Sequence, residues 1–271
     1  MTDISPRPLD GEIPPTAFRA IDGNGQTVNP NEVIFPIVRQ DANGRFRLIG
    51  TGFFITDNGL FASAKHVLLD VLDETGKQEA PIGLVQFVPG NRYALRPILR
   101  CVSHDVADVA VGVAAPMTEN QTGAPLKNKL LTLTTVYPPL GASVATYAYP
   151  KTAFRGDRPQ ELHFYPAYFD GQIEAYFDAG RDRVLMPAPC FQTSMNVHRG
   201  ASGGPVFGVD GAAFGINSTG YDGTICSFVS RVADILPLRV SGVVTPRSTA
   251  SRDVLVRELA DDGFVIVRGQ K

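Results

Sequence analysis

The chain has 271 residues, with 25 basic and 27 acidic side chains and a formal net charge of −2. This near-neutral charge excludes a general nucleic-acid binder, which depends on clustered Lys and Arg. The 44% of hydrophobic residues, which suffice for a buried core, exclude a disordered acidic tail. The 27 glycines, 21 prolines and low charged fraction of 19% favour short strands joined by tight turns over a helical bundle.

The N-terminal stretch, residues 1–30, contains five prolines and predicts an irregular extension. It lacks a basic start followed by an apolar segment, and no run of about 18 apolar residues follows anywhere. We therefore expect a cytoplasmic protein without a membrane segment. The wide spacing of the cysteines predicts neither a disulfide framework nor a zinc site, at Cys101, Cys190 and Cys226.

A first series of short apolar runs, in residues 31–118, predicts enough strands for a small closed barrel. The runs are Val33–Arg39, Phe46–Thr56, Leu60–Ser63, Ile82–Val88, Tyr93–Ser103 and Val109–Ala114. Asp-Ala-Asn-Gly at 41–44 predicts a hairpin turn, and Gly50 and Gly52 favour a bend or bulge in the second run. A crossing segment rich in Pro, Gly and Thr is expected at 119–139.

A second series of runs occupies residues 140–239. The runs are Ser143–Ala148, Glu161–Tyr168, Gln172–Phe177, Val184–Met186, Phe191–Met195, Pro205–Val209, Ala213–Asn217 and Thr224–Val229. Ser230 is predicted to cap a short helix, Arg231–Leu236, which Pro237 ends. Residues 240–271 predict a tail with a helix over Ser248–Leu259 and a strand over Phe264–Arg268, packed on the main body.

The most informative segment is Arg-Gly-Ala-Ser-Gly-Gly-Pro at 199–205, in which Ser202 stands between glycines. It is either a plain Gly-rich turn or a nucleophile at a sharp turn whose backbone N–H groups meet an oxyanion. An α/β-hydrolase places its catalytic histidine after its serine. That class is excluded because every histidine precedes Ser202: His66, His104, His163 and His198. A base must therefore come from upstream, in the order His, Asp, Ser.

His66 is the favoured base because small residues before it leave room for a substrate beside the ring. His104 suits a surface position, His163 an aromatic strand, and His198 lies too close to Ser202 in the chain for a designed hydrogen bond. The orienting acid is one of two neighbours in Asp-Val-Ala-Asp at 105–108. We favour Asp108 over Asp105, because a buried orienter is required and only Asp108 directly precedes an apolar run.

These segments resemble the chymotrypsin-like serine proteases, and among them the bacterial HtrA/DegP-type protease domain without a PDZ domain. The similar sequences are Ala-Ser-Ala-Lys-His-Val at 62–67, Asp-Val-Ala-Val at 108–111, Gly-Ala-Ser-Gly-Gly-Pro at 200–205 and Phe-Gly-Ile-Asn-Ser at 214–218. The resemblance spans residues 33–238. It implies an all-β fold of two six-stranded antiparallel barrels with a short C-terminal helix, and a catalytic triad in the cleft between them.

The resemblance also implies a role for each matching residue. Ser202 is the nucleophile, His66 the general base and then acid, and Asp108 the orienting carboxylate. Backbone N–H groups of Gly200 and Ser202 form the oxyanion hole. The expected substrate contacts are a strand-pairing segment with Ser218, Thr219 and Gly220, and a pocket with Asn196 at its floor and Gly220 and Thr224 at its walls. Without a carboxylate at Asn196, the pocket favours a small or medium uncharged side chain.

Three departures from the family pattern are informative. Ala201 stands where trypsin-type zymogens have Asp, so that activation switch is absent. Lys65 replaces the usual small residue beside His66, and the sequence after residue 238 is too short for a PDZ domain. The predicted function is a serine endopeptidase acting on polypeptides, with no cofactor, metal, nucleic acid or membrane partner. The alternatives are a catalytically silent binding module and a protease for one specific partner in a stress or defence system.

Overall fold

The computed structural model describes residues 19–69, 81–88, 92–118, 123–150, 152–156, 161–220, 226–245 and 250–269. Within these ranges, no helix is long and apolar enough to cross a membrane. The described part of the predicted irregular extension is packed rather than loose, because Ala20, Ile21 and Val28 are buried. It leads into a one-turn helix that the sequence did not predict, α1 (Pro30–Val33), capped by the side chain of Asn29.

Six antiparallel strands close the first barrel, in the order β1-β2-β3-β6-β5-β4. Their bounds are β1 Ile34–Gln40, β2 Phe46–Phe54, β3 Leu60–Ser63, β4 Ile82–Val88, β5 Arg92–Ser103 and β6 Ala110–Ala114. A short helix, α2 (Lys65–Leu69), follows β3. The predicted strands of this half are confirmed within a few residues, and three phenylalanines dominate the buried interior: Phe35, Phe54 and Phe61.

The predicted turn and bulge on β2 are both present. Asp41 Oδ1 accepts the backbone N–H groups of Asn43 and Arg45, each at 2.9 Å, which closes the 41–44 turn. The pairing of β1 with β2 shifts register opposite Gly50. A Cβ at Gly50 would lie 2.6 Å from the methyls of Val67 and 2.9 Å from the carbonyl oxygen of Ser202, so only glycine fits here.

The second barrel is reached through β7 (Leu133–Thr134) in the crossing segment. The next strands are β8 Ser143–Ala148, β9 Ala153–Arg155, β10 Glu161–His163, β11 Ala167–Phe177, β12 Cys190–Thr193, β13 Pro205–Phe207, β14 Ala213–Gly220 and β15 Ser227–Arg231. Six of them close a ring in the order β13-β8-β11-β12-β15-β14, because β13 also pairs with β14. The predicted all-β fold of two six-stranded antiparallel barrels is confirmed.

Two strand predictions in this barrel are wrong, those for Glu161–Tyr168 and Val184–Met186. The first run is divided between the short β10 and the start of β11, and β11 also contains the predicted strand Gln172–Phe177. Gly171 continues β11 rather than breaking it, since a Cβ there would lie 2.7 Å from the backbone nitrogen of Met195. Val184–Met186 is a turn, because its backbone N–H groups bond to the side chain of Asp182 instead of a neighbouring strand.

The closing helix of the second barrel is shorter than predicted. A 3-10 helix covers Val232–Ile235, and Ser230 does not cap it because Ser230 is part of β15 and pairs with Cys190. The strand predicted from Thr224 begins at Ser227, and Thr224 itself lies outside the described residues.

The C-terminal tail differs most from its prediction. Its elements are β16 Arg239–Val244, β17 Ser251–Leu255, α3 Val256–Asp261 and β18 Val267–Arg268. The helix predicted over Ser248–Leu259 is wrong across 251–255, because that segment pairs with β16 as a hairpin, and Ser248 lies outside the described residues. The tail packs on the body as expected: β18 pairs with β7, and six apolar side chains of the tail are buried, those of Val240, Val243, Val254, Val256, Leu259 and Val265.

Candidate active site

His66 and Asp108 meet at the edge of the first barrel. His66 is the second residue of α2, which starts after β3, and Asp108 ends the loop between β5 and β6. The ring Nδ1 of His66 lies 2.9 Å from Asp108 Oδ2 and 3.1 Å from Oδ1, and the backbone N–H of His66 donates to Oδ1 at 3.0 Å. A carboxylate only accepts, so Nδ1 carries the proton and Nε2 keeps a lone pair for a base.

The structure distinguishes the two candidate acids. The side chain of Asp108 is only 16% exposed and contacts His66 through both oxygens. Asp105 is exposed, and its backbone carbonyl accepts a bond from Lys65. The geometry of an orienting carboxylate is therefore found at Asp108.

Ser202 lies at the turn between β12 and β13, where two glycines adopt positive φ. The φ angles are 91° at Gly200 and 86° at Gly203, a region open mainly to glycine. A side chain at Gly203 would collide with Ser63 and with the carbonyl of Thr51, so the turn also needs glycine to approach the first barrel.

Ser218 joins Ser202 to the His–Asp pair through its backbone carbonyl and its hydroxyl, a link that the motifs did not predict. Ser202 Oγ donates to the carbonyl oxygen of Ser218 at 3.0 Å. The hydroxyl of Ser218 donates to Asp108 Oδ2 in a short hydrogen bond. Because Ser218 lies beyond the predicted end of its strand, Ala213–Asn217, only its position in the longer β14 could have indicated this contact.

Two backbone N–H groups at the turn are available for a ligand. In the part of the chain that the structure describes, neither the N–H of Gly200 nor that of Ser202 has a hydrogen-bond acceptor. Thr51, on β2, holds the carbonyls of the same two residues: its Oγ1 donates to the carbonyl of Gly200 at 2.8 Å, and its N–H donates to that of Ser202 at 2.8 Å. An anionic oxygen is the partner that such free, preorganised donors suit.

The structure describes all but one of the expected substrate contacts. The last three residues of β14 are Ser218, Thr219 and Gly220, and one long edge of this stretch pairs with β15. Among the described strands none pairs with the remaining edge of this stretch. Asn196 is exposed and follows the buried Met195. Thr224, the proposed pocket wall, lies outside the described residues.

The other histidines have separate surroundings. His104 lies in the loop before Asp108 and accepts two backbone N–H groups, His163 stacks on Tyr165, and His198 meets the ring of Phe169 edge-on. No group of three or more metal-ligating side chains occurs within the described ranges.

Two tyrosines beside the turn link it to α1. The phenols of Tyr147 and Tyr149 both donate to Asn31 Oδ1, at 2.6 and 2.8 Å. Burial raises the pKa of both phenols, so they stay neutral and serve as donors.

Comparison with known proteins identifies the family of the chain. Residues 50–216 match the profile of the trypsin-like peptidase domain, which is more than half of the chain. The chain belongs to the trypsin-like peptidase family. The matched range of this trypsin-like peptidase spans the positions of His66, Asp108 and Ser202. No curated protein sequence matches it.

Similar solved structures are distant in sequence. The crystal structure of Deg5 is similar with a TM-score of 0.54 and 15% identity over 75% of this trypsin-like peptidase and 85% of Deg5. The serine endoprotease from Yersinia pestis has a TM-score of 0.48 and 20% identity, over 75% of this chain and 60% of that one. At such identity, the likeness to Deg5 shows the fold of the protein.

Proposed function

We propose that this trypsin-like peptidase is an active serine endopeptidase with Ser202 as nucleophile, His66 as general base and Asp108 as orienting group. The observation that carries the proposal is the pairing of His66 Nδ1 with Asp108 Oδ2 at 2.9 Å, with Ser202 joined to the same carboxylate through Ser218. This is the arrangement in which Nε2 can take a proton from a serine.

The reaction begins when Ser202 Oγ attacks the carbonyl carbon of a peptide bond and its proton passes to His66 Nε2. For this step, the hydroxyl proton must leave the Ser218 carbonyl and point to Nε2. The carbonyl oxygen becomes an oxyanion, which the N–H groups of Gly200 and Ser202 stabilise. The imidazolium of His66 then protonates the leaving amine, and the C–N bond breaks to give an acyl-enzyme.

Hydrolysis of the acyl-enzyme returns the site to its starting state. A water molecule loses a proton to His66 Nε2 and attacks the acyl carbon, and His66 then protonates Ser202 as the ester bond breaks. Throughout, Asp108 stays ionised and stabilises the imidazolium.

The proposed substrate is a polypeptide that pairs as an added strand along the open edge of β14, at Ser218, Thr219 and Gly220. Backbone hydrogen bonds along such an edge give affinity without fixing the side chain at the cleaved bond. The exposed amide of Asn196 carries no charge, and supports a preference for small or medium uncharged residues before that bond. A peptide-library profile dominated by cleavage after Arg or Lys would contradict this preference.

The experiment that tests the function compares turnover of an unfolded protein substrate by four forms of the chain. Ser202→Ala is expected to abolish turnover, and Asp108→Asn to reduce it by roughly 10⁴-fold through the wrong imidazole tautomer. Asp105→Asn is the matched control and keeps wild-type turnover, because that side chain is exposed. If Asp105→Asn is the damaging change, the assigned orienting residue is wrong. A wild-type chain without turnover would favour the silent binding module.

A further inference from the structure

Lys65 stands directly before His66 in α2, and its side chain crosses to the loop that carries Asp108. Its Nζ donates to the backbone carbonyls of His104 and Asp105, each at 2.9 Å. Across the described ranges, no carboxylate oxygen lies within 4.0 Å of this ammonium. The two carbonyls are therefore the groups to which its charge is directed.

We propose that Lys65 is a positioning residue, whose ammonium holds the Asp108 loop against the helix that carries His66. The inference rests on the proposed peptidase function and adds a residue that the proton transfers do not use. It also gives a physical role to the side chain that departs from the family pattern.

The loop is short, and two side chains bind its backbone only a few residues before Asp108. The ring Nδ1 of His104 accepts the backbone N–H of Val106 at 3.1 Å and of Ala107 at 2.9 Å. His104 thus binds the N–H groups of the loop, and Lys65 binds its carbonyls. Because Ala107 directly precedes Asp108 in the chain, a displacement of this turn moves the carboxylate with it.

The contact that Lys65 protects is sensitive to small displacements. Asp108 meets His66 through three distances between 2.9 and 3.1 Å, which a shift of about 1 Å would take beyond hydrogen-bond range. A misplacement of about that size in a catalytic group costs on the order of 100-fold in rate. The loss falls on the chemical step, because neither carbonyl that Lys65 binds belongs to the proposed substrate contacts.

The test measures the reaction of a fluorophosphonate probe with Ser202 in the full chain, separated into the limiting rate kinact and the half-saturation constant KI. Lys65→Met keeps the length of the side chain and removes its donors, and Lys65→Arg keeps both charge and donors. Lys127→Met is the matched control, since Lys127 pairs with Asp57 at 3.1 Å far from this loop in the sequence and is 78% exposed.

We expect Lys65→Met to lower kinact by about 10- to 100-fold with little change in KI, and Lys65→Arg to recover most of the loss. Lys127→Met stays at the wild-type rate. Hydrogen exchange of the backbone at 104–109 is expected to speed up in Lys65→Met while the urea midpoint stays near that of wild type. If Lys65→Met does not fold, Lys65→Gln replaces it, with a neutral, shorter donor and the same expected rank below Lys65→Arg.

A Lys65→Met protein with wild-type kinact and wild-type exchange at 104–109 would overturn the proposal. An equal loss of kinact in Lys65→Met and Lys65→Arg would also overturn the proposal, because Arg restores the charge and the donors. A wild-type chain that takes no probe would instead refute the peptidase function, and the exchange comparison would still decide whether Lys65 holds the loop.

Discussion

Replacing Thr51 by Val removes one buried hydroxyl from beneath the Ser202 turn and keeps nearly the same volume. Thr51 is fully buried on β2. Its Oγ1 donates to the carbonyl of Gly200 at 2.8 Å and accepts the backbone N–H of Tyr149 at 3.3 Å. The substitution therefore releases the peptide between Gly200 and Ala201 and leaves the Tyr149 N–H without this acceptor.

The magnitude follows from these two bonds. Losing the bond to Gly200 costs about 1 kcal/mol, and leaving a buried N–H unsatisfied costs about 1–3 kcal/mol. We expect the free energy of unfolding of Thr51→Val to fall by about 2–4 kcal/mol. The Gly200 carbonyl belongs to the peptide between Gly200 and Ala201, which connects the two proposed oxyanion donors. Loosening this peptide is therefore expected to slow fluorophosphonate labelling by about 10- to 100-fold, less than deleting a donor outright.

The assay pairs urea unfolding with the labelling rate, and uses Thr51→Ser as the matched control. Thr51→Ser keeps the hydroxyl and loses a methyl, so it is expected to lose about 1 kcal/mol of stability and to label near the wild-type rate. If Thr51→Val labels as fast as wild type, the hydroxyl does not orient the peptide between Gly200 and Ala201. If Thr51→Ser is as slow as Thr51→Val, packing of the methyl is the cause.

Three further predictions concern the body of the protein. Leu259→Ala, in the buried face of the tail, is expected to cost about 2–5 kcal/mol in urea unfolding, and the half-exposed Val244→Ala less than about 0.5 kcal/mol; equal losses would mean that the tail is not packed. Arg96→Met removes a buried guanidinium that bonds to two side-chain amides and one backbone carbonyl. It is expected to lower the free energy of unfolding by about 3–5 kcal/mol. An unchanged urea midpoint would contradict this. Burial raises the pKa of the Cys101 and Cys190 thiols, so less thiolate is present at pH 7 and iodoacetamide should modify both more slowly than a free thiol; rapid alkylation by mass spectrometry would contradict this.

The first barrel could be predicted closely because its signals are local. Turn residues such as Asp41 and Gly44 end each run of alternating apolar residues, and the structure keeps nearly the same bounds. The second barrel was harder. Gly171 lies between two predicted runs, but it is part of β11, where its lack of a side chain leaves room for the backbone of Met195. The turn at 182–186 depends on one carboxylate that accepts three backbone N–H groups.

The helix prediction for the tail was wrong for a different physical reason. The spacing of Val254, Leu255 and Leu259 fits a helix, but residues 251–255 find an unpaired strand at Arg239–Val244. A strand partner that lies outside the window of a local pattern overrides that pattern. The helix then starts only at Val256, where the pairing ends.

The candidate site was predictable as far as its motifs reach. His66, Asp108 and Ser202 each stand in a recognisable short sequence, and their order excluded another hydrolase class. Ser218 and Lys65 could not be assigned in this way. Their roles depend on contacts with residues 39 to 110 positions away, which only the closed fold brings together.

The central claim is that Ser202 is activated as a nucleophile, and the mass of the phosphonylated protein tests it most directly. Wild type treated with a fluorophosphonate is expected to gain one adduct, mapped to Ser202 by peptide mass spectrometry. Ser202→Ala and His66→Ala are expected to gain none. An adduct that persists in folded Ser202→Ala, or a folded wild type that gains none at any pH or probe concentration, would contradict the account.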